Sequence, residues 1–224
     1  MTEQWISSKW TFELGLRYGF QHLEVKRFDE DNMLETPEFE YHNYAATGGM
    51  VWRAGNVLRV SSNLGLSTRA PNVHELYSEG LHHGAAAIEE GDPTLSQERS
   101  LKWMQSMDWT PDRFHIELTV FQQWFRNFIY LRPGDEPRLT IRGAFPVFNY
   151  TQTDAFFWGT DVSIRAELSK AFSVLSIFSM VRAEDQASNS PVYGIPADRM
   201  QHEITFHPGK NLFGEEKIGI FIRY

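Results

Sequence analysis

The sequence contains no cysteine, so disulfides and thiolate metal sites are excluded. It also lacks a basic cluster. Its 21 Lys and Arg are scattered against 29 Asp and Glu, for a formal net charge of -8. Nothing here neutralises a run of phosphates, and nucleic-acid binding is not expected. The opening residues, MTEQWISSKW, have no basic segment followed by an apolar run, so no signal peptide is read in them. No run of about 18 apolar residues occurs, which excludes a transmembrane helix. A transmembrane barrel stays open, because its alternating strands leave only a weak hydropathy signal. The nucleophile-elbow, phosphate-loop and dinucleotide fingerprints are absent as well.

What is present is alternation. From Trp10 the even positions read Trp10, Phe12, Leu14, Leu16, Tyr18 and Phe20, and the odd ones Thr11, Glu13, Gly15, Arg17, Gly19 and Gln21. Successive strand side chains point to opposite faces, so this segment has one apolar and one polar face. The pattern recurs around 58–67, 114–120 and 156–168. Weaker versions cover 44–52, 99–109, 172–182, 199–206 and 217–224, for about nine strands in all. The connections carry more information than the strands. Short ones (RAGN at 53–56, TPD at 110–112, SK at 169–170 and the longer HPGKNLFGEE) alternate with long polar ones at 28–43, 69–98, 131–147 and 183–198. All the short turns then lie at one end of an up-and-down sheet and all the long connections at the other, as in outer-membrane barrels.

By soluble-protein standards 224 residues with mean hydropathy -0.41 would make one globular domain or two small ones. A soluble barrel or sandwich also alternates along each strand. Three features weigh against it. The strands run to about 10 residues rather than about 5–6, near the length a tilted strand needs to cross a bilayer. Aromatics such as Trp10, Trp52, Trp109 and Trp124 sit near strand ends, where interfacial girdles place them. The polar faces carry Glu13, Arg17, Arg59, Lys102, Glu117, Asp161, Arg165 and Glu167, which suits a wet or plugged lumen.

Several segments together resemble the barrel of TonB-dependent outer-membrane receptors. LGLRYGFQHLEVKRF (14–28) is similar to the family's Gly-x-Arg-Tyr strand. LRVSSNLGLSTRAPNVHELYSEG (58–80) is similar to the strand ending in Arg-x-Pro and running into Glu-Leu-Tyr. EEGDPTLSQERS (89–100) resembles the Gly-Asn/Asp-Pro-x-Leu-x-x-Glu-x-Ser motif that opens the next strand. NYTQTDAFFWGTDVSIRAEL (149–168) and GIPADRM (194–200) resemble two later elements. The 69–100 block is the most specific. The resemblance implies an all-β, antiparallel up-and-down transmembrane β-barrel, of which residues 1–224 form a partial domain, about nine strands of roughly 22. Nine strands cannot close such a barrel, and open edges in lipid cost several kcal/mol per unsatisfied backbone group. The plug domain, the signal peptide and the last strands are therefore expected to lie outside these residues. The implied activity is ligand-gated import of a scarce ligand, an iron-siderophore, haem or metal ion. The implied partners are the TonB-ExbB-ExbD complex, reached through the plug, and outer-membrane lipid and lipopolysaccharide. The implied location is the outer membrane of a Gram-negative bacterium. No catalytic step and no resident cofactor is implied; a bound metal or iron chelate is the cargo. A passive porin or structural barrel would share the strands but not the 69–100 block.

The chemistry-bearing residues gather in that block. His74-Glu75 begins like a zinc-protease motif, but the second His is missing at Ser78. His82 and His83, near Glu89, Glu90 and Asp92, offer nitrogen and oxygen ligands of the kind that suit zinc, iron or copper. Solvated loop side chains are the alternative. Arg69, Pro71, Glu75 and Tyr77, at the strand-to-loop junction, are expected to order the loop base rather than touch ligand. Arg132, Arg138 and Arg142 could meet an anionic ligand, the acidic loops or lipopolysaccharide.

Overall fold

The computed structural model describes residues 2–28, 31–82 and 84–206, and the backbone of 218–223. In chain order the elements are β1 (Thr2–Ile6), β2 (Trp10–Glu24), β3 (Arg27–Phe28), β4 (Leu34–Glu35), β5 (Glu38–Ala54), β6 (Leu58–Arg69) and the one-turn helix α1 (Val73–Tyr77). They continue with β7 (Glu79–His82), β8 (Ala87–Glu90), β9 (Glu98–Trp109), β10 (Phe114–Pro133), β11 (Arg138–Thr140) and β12 (Gly143–Phe145). The last are β13 (Val147–Glu167), β14 (Phe172–Asp185), β15 (Ser190–Pro191), β16 (Arg199–Phe206) and β17 (Ile218–Arg223).

Ten strands form one antiparallel wall in the order β1-β2-β5-β6-β9-β10-β13-β14-β16-β17, each joined to its sequence neighbour in the wall. The path is open, with β1 and β17 as its edges. Alternation alone predicts about nine of these strands. The addition is β1, whose five residues TEQWI are too few, and too irregular in polarity, to show a period.

Register turns the alternation into two faces. Directly opposed residues share a face, and Leu16, Ala46, Leu66, Leu101, Trp124 and Phe156 are paired successively from β2 to β13. This outward face is apolar yet exposed, with Leu16 at 58% and Phe20 at 55%. The inward face carries Glu13, Arg17, Arg59, Lys102, Glu117, Asp161 and Arg165, and polar side chains beside them bond across the strands. Arg53 Nη1 donates to Thr11 Oγ1 at 2.8 Å, and Ser106 and Thr119 share a 2.9 Å hydroxyl bond.

The four described short turns, at 7–9, 55–57, 110–113 and 168–171, all fall at one end of the wall. Each is closed locally, as by Ser7 N–H to Trp10 O at 2.7 Å and Phe114 N–H to Pro111 O at 2.7 Å. Gly55 supplies the positive φ of 64° that its turn requires. HPGKNLFGEE lies outside the described residues. The long connections occupy the opposite end. They are shorter than the alternation suggests, because β5, β10 and β13 extend into them: β5 begins at Glu38, and β10 runs to Pro133.

One irregularity shapes that end. Between Phe125 and Phe128 the β10–β13 register shifts by a bulge, with Asn127 at φ 57°, a conformation that asparagine tolerates. The one extra residue on β10 resets the alternation. Phe125 and Phe128 both pack on the cluster of Ala155, Ala183 and Val192, while Ile129 turns to a second cluster with Leu76 and Leu95.

Candidate functional site

The 70–97 connection is fixed at its base by three charges from three places in the chain. Arg69, the last residue of β6, donates from Nη1 to Glu75 Oε1 at 3.0 Å and Oε2 at 2.8 Å, and from Nη2 to Glu98 Oε2 at 3.2 Å. Both carboxylates have further donors. The Asn72 amide reaches Glu75 Oε2 at 2.7 Å, and the Ile129 amide reaches Glu98 Oε2 at 3.1 Å. The two carboxylate side chains are only 10% and 12% exposed, so each charge depends on this network for compensation.

Around the latch the connection buries apolar surface. Pro71 and Leu76 are fully buried, and Leu76, Leu95 and Ile129 pack with Leu23, Phe39, Tyr77 and Tyr150. Arg27 lies over the Tyr77 ring, 5.2 Å from its centroid. Burial raises the Tyr77 phenol pKa, with Arg27 opposing the rise and Glu35 adding to it. Gly91 is pressed against α1. A Cβ there would come within 2.5 Å of the Tyr77 nitrogen and 2.6 Å of the Leu76 carbonyl carbon, and the Gly91 amide donates to Ser78 O at 2.7 Å. At the loop base Arg69 pairs with Glu75, Pro71 is buried and Tyr77 packs on the Leu76 cluster; Glu98 is the partner that sequence reasoning missed.

The residues singled out as ligand candidates do not converge. β7 and β8 form a hairpin, and β8 adds in parallel to β13 at Val147–Asn149. His82 and Glu89 share a face, with Nδ1 and Oε1 4.0 Å apart, and the Ala85 amide donates to His82 Nδ1 at 3.2 Å. Glu90 lies on the opposite face, ion-paired to Arg138. His83 lies outside the described residues. Glu89 accepts from Tyr150, whose pKa is raised by burial and then by the Glu89 and Glu75 carboxylates. Asp92 Oδ1 is bound by the Thr94 amide at 2.8 Å and hydroxyl at 2.6 Å, which shapes the turn.

Among the described residues one group lies close enough to share a cation, and it is elsewhere: Asp108, His115 and Glu117. They sit on the inward face at the short-turn end, with His115 Nε2 3.2 Å from Asp108 Oδ1 and 3.4 Å from Glu117 Oε1. The sequence signal was available in outline, since His115 and Glu117 are two apart on one strand and Asp108 stands just across the TPD turn. Register completes it by opposing Glu117 to Asp108.

With this geometry in place, the comparisons with known proteins decide the family. The TonB-dependent receptor-like β-barrel model matches residues 3–210. The chain belongs to the TonB-dependent receptor β-barrel family. Members of that family are transporters of the Gram-negative outer membrane. Among solved structures, the copper transporter OprC superposes with a TM-score of 0.79 at 12% identity, covering 98% of this chain and 33% of that one. The hemophore receptor HasR of Serratia marcescens, solved with its hemophore and heme, gives 0.66 at 16% identity, covering 96% and 41%. The FrpB iron transporter of Neisseria meningitidis gives 0.63 at 14%, covering 99% and 31%. The chain thus spans 31% to 41% of the length of these receptors, and the likeness is one of fold.

A receptor wall also has an outward surface, and there a cavity of about 900 Å3 opens beside the bulge. Its lining includes Tyr44, Leu66, Arg99, Leu101, Trp124 and Arg126. These six residues lie on the outward face, while Ser100, Phe125 and Ala155 from the inward-facing row form its floor.

Proposed function

We propose that this chain forms part of the barrel wall of an energised outer-membrane importer for a scarce ligand: an iron-siderophore, haem or metal ion. The observation that carries the reading is the sidedness of the wall. Leu16, Leu66, Leu101 and Trp124 line one face and Glu13, Arg17, Lys102 and Asp161 the other, and the four described short turns share one end. A soluble sandwich would bury that apolar face; a lipid-facing wall exposes it. Family membership favours active import over passive diffusion, and the names of the similar structures span copper, heme and iron.

Ligand is captured at the end bearing the long connections, where the Arg69–Glu75–Glu98 latch presents β7, β8 and the His82–Glu89 face. Release follows from rearrangement of a plug driven by the TonB-ExbB-ExbD complex, with no chemical step and no resident cofactor. His82 and His83 are the proposed metal contacts; Glu89 shares the face of His82, while Glu90 is ion-paired to Arg138. The test is uptake of iron chelate, haem and copper by cells carrying the full-length receptor, with TonB intact or inactivated. Loss of uptake on inactivation is expected; unchanged uptake would make the protein a passive channel. Replacing His82 and His83 with Ala should lower metal-dependent uptake, and no change would return both to the solvated loop.

A further inference from the structure

We infer that the outward cavity is a binding site for the phosphorylated headgroup of an anionic glycolipid of the outer leaflet, with Arg99 and Arg126 as its phosphate-binding pair. This rests on the barrel reading above. Arg99 and Arg126 are directly opposed across β9 and β10 and share the outward face with Leu101 and Trp124. Both are exposed. Like charges placed opposite one another destabilise a strand pair, and among the described residues neither guanidinium has an ion-pair partner. The outward Arg182 makes the contrast. It is held by Asp198 through two bonds, Nη1 to Oδ1 at 2.5 Å and Nη2 to Oδ2 at 2.8 Å. The acid lining the cavity, Asp154, is engaged by the Asn127 amide at 3.1 Å.

Depth identifies the missing counter-charge. On β10 the outward residues from Phe114 to Trp124 are apolar except for Gln122, which lies between Trp103 and Trp158. Ten residues rise about 34 Å along the strand, and a tilt of about 45° makes that a band of about 24 Å, the height of the apolar belt of such barrels. Trp124 is then at the interfacial girdle. Arg126, two residues beyond it, is about 5 Å higher, at headgroup depth. A phosphate between two guanidinium forks accepts charge-assisted, bidentate hydrogen bonds from both. Below the pair the lining is Leu66, Leu101 and Trp124, a surface that suits acyl chains and offers inorganic phosphate nothing. Tyr44 and His42 close the β5 side.

The test uses the full-length receptor in mild detergent, with lipid occupancy read by native mass spectrometry. The probes are bisphosphorylated lipid A, its dephosphorylated form, phosphatidylglycerol and inorganic phosphate. Bisphosphorylated lipid A should bind, and the double substitution Arg99→Gln, Arg126→Gln should weaken it by roughly tenfold or more. Arg182→Gln should leave it unchanged, and millimolar phosphate should not displace it. Equal occupancy in the double variant overturns the site, as does equal binding of dephosphorylated lipid A. Displacement by inorganic phosphate, or equal binding of phosphatidylglycerol, overturns the glycolipid assignment. Heat-modifiable migration, read on every variant, separates the two levels. A heat-modifiable double variant that keeps its lipid sinks the site alone, whereas a receptor that stays monodisperse without detergent sinks the barrel reading too.

Discussion

Two long connections at the same end of the wall have opposite characters. The 70–97 connection buries Ala70, Pro71, Leu76, Ala87, Ile88 and Leu95 and closes on a charged latch. The 134–146 connection ends in the β11–β12 hairpin with Leu139 at 82% and Ile141 fully exposed. Length alone says nothing about order. The first connection has apolar residues spaced to reach Leu23, Phe39 and Ile129, and a strand-end arginine to neutralise its acids; the second presents its apolar side chains outward, with one ion pair, Arg138 to Glu90, tying it back. The first connection is ordered by burial and charge pairing; the second leaves its hairpin exposed.

The sharpest way to break this contrast is Arg69→Ala. It leaves Glu75 and Glu98 buried without their cation, a loss of about 3–5 kcal/mol. Limited proteolysis of the receptor should then cut within 70–97 while the wall strands stay protected; resistance equal to wild type would show that the latch does not order the connection. Next in size is Leu76→Ala, expected to cost the docked connection about 2–5 kcal/mol, against about 0.5 kcal/mol or less for Leu139→Ser or Ile141→Ser. The hairpin substitutions should instead weaken ligand binding, measured on the same samples. Equal stability losses at Leu76 and Ile141 would erase the comparison.

The smallest effect concerns a third connection, after β14. Burial pushes the Asp185 carboxyl up, but hydrogen bonds from the Thr153 hydroxyl and the Ala187 and Ser188 amides outweigh it, and its pKa falls below 3.8. A depressed pKa contributes stability above the unfolded value that is lost as pH falls through the folded one. Protection of the Ala187 and Ser188 amides by Asp185 should therefore be complete at neutral pH, where the carboxylate is ionised, and be lost only below about pH 4. The pH dependence should vanish in Asp185→Asn.

The wall strands were legible in the sequence because one face meets lipid and the other water, which writes a period of two into the residues. Legibility ends where that asymmetry ends. Glu38, Glu40 and His42 extend β5 with polar residues on the face that is apolar further down, so the strand reads as loop. The latch was half legible. Arg69 and Glu75 stand six residues apart at a strand end, but Glu98 joins them only through the β6–β9 register. Ile129 reaches its cluster only because the bulge at Asn127 turns it, and no periodicity announces a bulge. Arg99 and Arg126 lie 27 positions apart and become a pair through strand register alone.

The central claim is the two-faced wall, and β2 tests it most directly. In the full-length receptor in membranes, single cysteines carrying nitroxide labels would replace Glu13, Leu14, Leu16 and Arg17 in turn, and collision with membrane-soluble oxygen would be compared with collision with an aqueous nickel chelate. The labels at Leu14 and Leu16 should favour oxygen and those at Glu13 and Arg17 the chelate, alternating residue by residue. Uniform accessibility, or the reverse alternation, would contradict the account.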